Sequence, residues 1–310
     1  MLNMVLSRLV FWSALIFCLT PWASPPLALG LGLVFAMTCG HPYKKHNSRV
    51  VKYLLQASVV GLGFGMNFTE VSSAGRQGVF LTIFSIAGTL AAGYAIGRLL
   101  AVSRKTSYLV SVGTAICGGS AIAAVAPIIE ADEREVAVAL GTVFILNAIA
   151  LFVFPWLGHI GGLTARQFGL WSAIAIHDTS SVVGAAAHYG EESLKIATTV
   201  KLTRALWIVP VALATAIGLQ KRDARISFPF FMVAFVGASI MVSLLPSFHS
   251  IYAGMVATAR AGLTVTLFLI GTGLSRQTFK AVGLGPVVQG VMLWLLISGA
   301  AWCAVRNISL

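Results

Sequence analysis

The chain has 310 residues, of which 58% are hydrophobic and only 10% charged, with a net charge of +12. Soluble domains carry roughly 25% charged residues, so a water-facing surface is excluded, and lipid leaves helices or a closed barrel as the options. The apolar runs are 16 to 25 residues long without period-2 alternation, which matches the roughly 20 residues a membrane helix needs and excludes a barrel. In chain order the predicted spans are Val5–Thr20, Pro26–Cys39, Val51–Met66, Val79–Leu100, Ser107–Ile129, Val136–Leu157, Phe168–Ala187, Leu194–Leu219, Phe228–Leu245, Ile251–Leu274 and Val282–Val305. The expectation is an all-α polytopic membrane protein with about 11 transmembrane helices in a single integral membrane domain, residues 1–310. The first run lacks a clear cleavage site and is read as a retained span.

Loop charges supply a direction. With loops counted alternately, one side holds Arg8, Lys44, Lys45, Arg49 and Lys52. It continues with Arg98, Arg104, Lys105, Arg166, Lys221, Arg222, Arg225, Arg276 and Lys280. The other side holds Arg76, Arg134, Lys195 and Arg306, together with Glu70, Glu130, Asp132, Glu133, Glu135, Glu191 and Glu192. Basic loops face the cytoplasm. The N-terminus is therefore expected inside and the C-terminus in the periplasm of a bacterial inner membrane. Bases confined to short loops also argue against a nucleic-acid partner. The four cysteines show no CxxC spacing, so neither a disulfide, a metal site nor a cofactor is expected.

Eleven spans divide as one extra N-terminal span (1–25) and two inverted five-helix repeats (26–160 and 161–310), a transporter pattern with broken helices at the midplane. A shift of 143 residues sets Ser107 on Ser250 and Gly119 on Gly262, pairing the fifth span with the tenth. A shift of 208 aligns Gly63, Gly65 and Gly75 with Gly271, Gly273 and Gly283 and implies another repeat order.

Three features carry the expected chemistry. Cys117-Gly118-Gly119-Ser120-Ala121 places two adjacent glycines within a span, each weakening a helix by about 1 kcal/mol. Unwinding there exposes backbone N–H groups, and Ser120 adds a hydroxyl, a combination suited to an anion. The other reading is a tight helix–helix crossing. His177-Asp178-Thr179-Ser180-Ser181 is a polar run at mid-span, costly unless it lines a cavity. Thr179 and Ser180 are candidate ligands, and His177 and Asp178 candidate coupling or gating groups. Contiguous residues cannot form a hydrolase triad, and no HExxH motif is present, so the chain is not expected to be an enzyme. Lys201 and Arg204, three apart on one face, and Arg260 fall inside spans, each base of the latter two about 15 Å deep at the helical rise. One acid, Asp178, cannot neutralise three bases, and the surplus calls for an anion. Gln56, Asn67 and Asn147 could line a pathway or bridge helices, with bridging favoured for Asn147.

The segments Val59-Val60-Gly61-Leu62-Gly63-Phe64-Gly65-Met66-Asn67, Ile116-Cys117-Gly118-Gly119-Ser120-Ala121-Ile122-Ala123-Ala124 and Ile176-His177-Asp178-Thr179-Ser180-Ser181-Val182-Val183-Gly184-Ala185 resemble the YeiH-type sulfate exporter family of bacterial inner-membrane proteins. The resemblance implies a fold related to bile-acid:sodium symporters and sodium/proton antiporters, with a panel, a core and two crossed broken helices at the fifth and tenth spans. The expected function is secondary transport of a small anion, sulfate or an organic sulfonate, by alternating access. Gly118, Gly119, Ser120, Thr179, Ser180, Lys201, Arg204 and Arg260 would bind it, and Na+ or H+ would couple it. A sodium-coupled organic-anion importer is the alternative, with an intramembrane enzyme or receptor further off. Lipid is an expected partner, and a homo-oligomer is left open.

Overall fold

The computed structural model describes residues 2–20, 22–39, 43–220, 230–273 and 283–307. Among them no strand occurs, and the helices are α1 (Leu2–Phe17), α2 (Pro25–Thr38), α3 (Lys44–Gly63), α4 (Phe68–Leu99), α5 (Arg104–Ala115), α6 (Gly119–Val125), α7 (Glu133–Ile160), α8 (Ala165–Ala175), α9 (Thr179–Tyr189), α10 (Glu191–Ala205), α11 (Ile208–Gly218), α12 (Phe230–Leu244), α13 (His249–Gly273) and α14 (Leu284–Asn307). Five helical stretches are long and apolar enough to cross a membrane: within α4, within α7, α10 with α11, α13 with the turn before it, and α14. Shorter apolar helices lie in α1, α2 and α12. Large apolar side chains such as Trp22, Phe84, Leu99, Ile217 and Leu284 stand exposed, as a lipid-facing surface requires. The basic residues at 221–225 and 276–280 lie outside the described residues.

Each of the eleven apolar segments contains helix, but two of them do not run from one end of the molecule to the other. The fifth is a hairpin. Gly118 turns the chain at φ +65°, ψ −124°, and α6 comes back along α5, so that Gly113 faces Ile122. The base is closed by Lys105 Nζ, which donates to Glu130 O at 2.6 Å, and by Ser103 Oγ, which donates to Glu135 Oε1 at 3.2 Å. Ser103 N-caps α5 and Asp132 N-caps α7, and these two contacts hold both helix starts at the same end of the molecule.

The seventh segment is a second hairpin. Tyr189, at the end of α9, donates its hydroxyl to Leu163 O at 2.6 Å. Its ring stacks on Phe168 at a centroid distance of 3.8 Å and on His159 at 4.3 Å. The end of α9 therefore returns to the start of α8. The uninterrupted α7, 28 residues long and about 42 Å at the helical rise, joins the base of one hairpin to the base of the other. The hairpins thus enter from opposite ends.

The expectation of about eleven crossings is not borne out at these two segments, since the two ends of each lie together. The expected break in the tenth segment is also corrected. α13 passes without interruption through Arg260 and Gly262, because Gly262 has another use: a Cβ there would collide with Ser58 Oγ on α3. The second break lies in the seventh segment, at Ile176–Asp178, where the backbone turns extended.

The helices pack in two groups. α2 and α3 lie along α13, with α12 on α3, and α1 joins them through Phe11, which sits against Phe35 and Phe268. The hairpins, α4, α7, α10 and α14 form the second group. This grouping cuts across a division at residue 160. Small residues allow the close approach: a Cβ at Gly271 would strike Leu29 O and come within 2.8 Å of Leu33 N. Those obstacles are backbone and cannot yield. Gly271→Val should therefore lower stability by about 3 kcal/mol and is checked by a thermal melt with size-exclusion chromatography; an unchanged melting temperature would contradict the α2–α13 packing.

Candidate functional site

The two hairpin tips meet. A Cβ built on Gly118 would lie 3.2 Å from Asp178 Cβ and 3.5 Å from its Cα. α5 has 12 residues, or about 18 Å of rise, so its tip reaches the middle of a hydrocarbon core about 30 Å thick. The Gly118-Gly119 pair is therefore a chain reversal, not a helix–helix crossing.

At each tip a helix ends with its carbonyl groups pointing into the interior, where unpaired acceptors are costly. α10 supplies their partners. Lys201 Nζ donates to Ile176 O at 2.7 Å and Ala173 O at 3.3 Å, at the end of α8. Arg204 donates to Ala115 O, the end of α5, through Nε at 2.9 Å and also through Nη2. Both side chains are fully buried. A positive charge at a helix C-terminus meets the negative end of the helix dipole, and charged hydrogen bonds of this kind contribute about 1.5–3 kcal/mol each. The i, i+3 spacing sends the two bases to two different hairpins from one helix face.

Asp178 begins α9. Its Oδ1 accepts from Ser181 N at 3.0 Å and its Oδ2 from the Ser180 hydroxyl at 2.6 Å. It is thus an N-cap, and its partners are these two serines rather than Lys201 or Arg204. His177 is fully buried, and its backbone N–H donates to Asn147 Oδ1 at 3.0 Å, so Asn147 bridges α7 to the second tip. Both His177 ring nitrogens, Asn147 Nδ2 and Arg204 Nη1 are buried with no protein partner. Thr179 is half-buried, Ser180 buried and Ser120 exposed.

Arg260 stands apart. It lies on α13, half exposed, and pairs with Glu191 Oε1 at 3.3 Å. The two residues line a cleft of about 970 Å³ between the helix groups, together with Lys195, His249, Asn67 and Thr264. The cleft wall also includes Val183 and Gly184 of α9, one turn from Thr179. A second cavity of about 380 Å³ lies at the opposite end, lined by Arg98, Arg104, Ser107, Tyr108 and Ser111. The structure therefore brings together Gly118, Asp178, His177, Lys201 and Arg204 around the tips, and leaves Arg260 in the cleft.

Sequence reasoning missed Gln289. It is fully buried on α14, and its Nε2 donates to Ser107 Oγ at 2.8 Å and Gly93 O at 3.1 Å, fastening α14 to α4 and α5. A lone amide in an apolar run was the available signal. The hairpin closures by Lys105 and Tyr189 carry no local signal.

Paired hairpins in a bundle of apolar helices define a multi-pass helical membrane protein. The chain matches the family described as Conserved hypothetical protein 698 over residues 1–305, and it belongs to this family, the YeiH family. It is similar to a UPF0324 membrane protein of Bacteroides thetaiotaomicron, 53% identical over 289 residues covering 93% of this chain and 86% of that one. A UPF0324 membrane protein of Porphyromonas gingivalis is 52% identical over 283 residues, 90% and 86% of the two chains. One from Geobacter sulfurreducens is 46% identical over 301 residues, 97% of each. No solved structure matches the chain.

Three substitutions at two positions separate the roles at the tips. Gly118→Ala places a side chain in a backbone region L residues rarely adopt and should cost about 1–3 kcal/mol, read in a thermal melt. Asp178→Asn keeps a capping oxygen and should change stability little, whereas Asp178→Ala removes the cap and should cost about 1 kcal/mol. Equal melting temperatures for the Asn and Ala variants would refute the capping role.

Proposed function

We propose that the protein is a secondary active transporter that carries a small anion, an organic sulfonate or sulfate, across the bacterial inner membrane by alternating access. The observation that carries this reading is the meeting of two hairpin tips, entered from opposite ends, beside a buried guanidinium nitrogen with no protein partner. Broken helices at mid-membrane are where transporters hold substrate, and an unpaired buried donor is stabilised by an acceptor that can enter and leave.

Charge at the tips favours the anion. The helix ends contribute about half a charge each, of opposite sign, and the two hairpins supply two ends of each kind. Lys201, Arg204 and Asp178 remain, with a net charge of one positive unit. Arg260 drops out of this balance because Glu191 faces it. The surplus is smaller than the sequence alone suggested, and a singly charged sulfonate suits it better than sulfate. Gly118, Gly119 and Ser120 on one tip and Thr179 and Ser180 on the other are the proposed ligands, with Lys201 and Arg204 behind them. Arg260 and Lys195 would draw the anion into the cleft. His177 and Asp178 remain the proposed gating groups.

The proposed topology has nine crossings, α1 to α4, α7, α10 with α11, α12, α13 and α14, with two hairpins that do not cross. The N-terminus is cytoplasmic and the C-terminus periplasmic, as before. The two hairpins exchange Arg134 and Arg166 between sides and carry Glu130, Asp132, Glu133 and Glu135 to the cytoplasmic side, so the number of bases on each side is unchanged and the cleft opens outward. Alternating access would then move the hairpin group against the other helices.

Radiolabelled sulfate flux into proteoliposomes, competed by an alkyl sulfonate, checks the reading. Arg260→Ala should slow flux about tenfold by weakening electrostatic attraction, with little change in melting temperature because an exposed ion pair contributes about 0–1 kcal/mol. Undiminished flux in both Arg260→Ala and Asp178→Asn would sink the assignment of the site.

A further inference from the structure

In transporters with broken helices, the carbonyl groups at half-helix C-terminal ends coordinate the coupling cation. Here both such ends already hold a positive side chain. Ala173 O and Ile176 O take the Lys201 ammonium, and Ala115 O takes the Arg204 guanidinium. We infer that Lys201 and Arg204 are tethered cations that fill the places a coupling cation would occupy, so that the hairpin tips work without bound Na+, and that removing the Lys201 ammonium turns its pocket into a monovalent-cation site. The inference deepens the transport reading and rests on it only where flux is concerned.

Three features support it. First, both side chains are fully buried and stem from the same face of α10, so neither can leave for solvent to make room for an ion. Second, the carbonyl oxygens an ion would need are already taken by the two side chains, and a cation added beside them would be repelled at short range. Third, Asp178 already accepts hydrogen bonds on both oxygens, and among the described residues no group of three or more His, Cys, Asp or Glu side chains could hold a metal ion. The tips therefore offer an alkali cation no uncommitted negative cluster. The sodium-coupled importer loses its ion site, while the anion site keeps its donors.

The test compares thermal melting of the purified full-length protein in NaCl and in choline chloride at equal ionic strength. The wild-type melting temperature should be the same in both salts. Lys201→Met keeps an unbranched apolar stem but leaves two carbonyl oxygens open. It should melt lower than wild type in choline and recover with saturable dependence on Na+, as mass action requires of an ion bound only by the folded state. A Na+-specific rise in the wild-type melting temperature would overturn the inference, and so would a folded Lys201→Met indifferent to Na+ and Li+. Should Lys201→Met fail to fold, the wild-type comparison decides alone. Sulfate flux that is equal with and without a Na+ gradient supports the inference, and flux that needs the gradient overturns it. Absence of flux under every condition would remove the transport reading while leaving the melting result standing.

Discussion

A helix that stops half-way across a bilayer leaves carbonyl groups without partners, in a medium that offers no water to replace them. This chain does so twice, at Ala115 and at Ala175. The remedy is one helix, α10, packed along the second hairpin and reaching the first through Arg204, with Lys201 three positions before it. Each base would itself cost several kcal/mol to bury alone, and each carbonyl end would be costly alone. Together they form hydrogen-bonded pairs of opposite polarity in a low dielectric, where such contacts are strongest. The position of α10, the depth of both hairpins and the meeting of their tips all follow from this mutual requirement.

The same pairing alters what the buried charges mean. Counted as free charges, Lys201, Arg204 and Arg260 demand an anionic partner of matching size. Once two of them sit on helix ends and the third faces Glu191 across the cleft, most of that demand is met within the protein. What remains is local: one guanidinium nitrogen of Arg204, the Asn147 amide nitrogen and both ring nitrogens of His177, all buried without a protein partner.

Much of this was legible in the sequence. The apolar segments, the interruption at Cys117-Gly118-Gly119 and the polar interruption at His177-Asp178 all stand where expected, because cost in lipid is a local property that composition reveals. The direction of the chain after each interruption is not local. A hydropathy window measures length, and a hairpin of two half-spans has the length of one crossing. The loop charges could not expose the error either: two hairpins restore the alternation, and the bases they move, Arg134 and Arg166, are one on each side. The caps do not expose it: Ser103 and Asp132 begin successive helices in either topology, and only the long-range contacts of Lys105 and Ser103 bring the two starts together. Gly262 misled for the opposite reason, since a glycine inside a span serves close packing as readily as a break.

Two cavities approach the tips from opposite ends. The larger follows α9 to Val183, one turn from Thr179, and the smaller follows α5 to Ser111, one turn from Ala115. Neither is lined by the tips, by Lys201 or by Arg204. The smaller cavity lies within the hairpin group, where the Gln289 amide ties α14 to α4 and α5 by donating to Gly93 O and Ser107 Oγ. The larger lies between the two groups, where the facing surfaces of α9 and α13 are mostly apolar and Arg260 with Glu191 supplies an exposed ion pair. A contact of that kind slides or parts at little cost, while the hydrogen-bonded hairpin group resists being opened. Movement is therefore expected at the boundary between the groups, with tips and bases travelling together, because separating Lys201 or Arg204 from its carbonyl would expose both halves of the pairing at once.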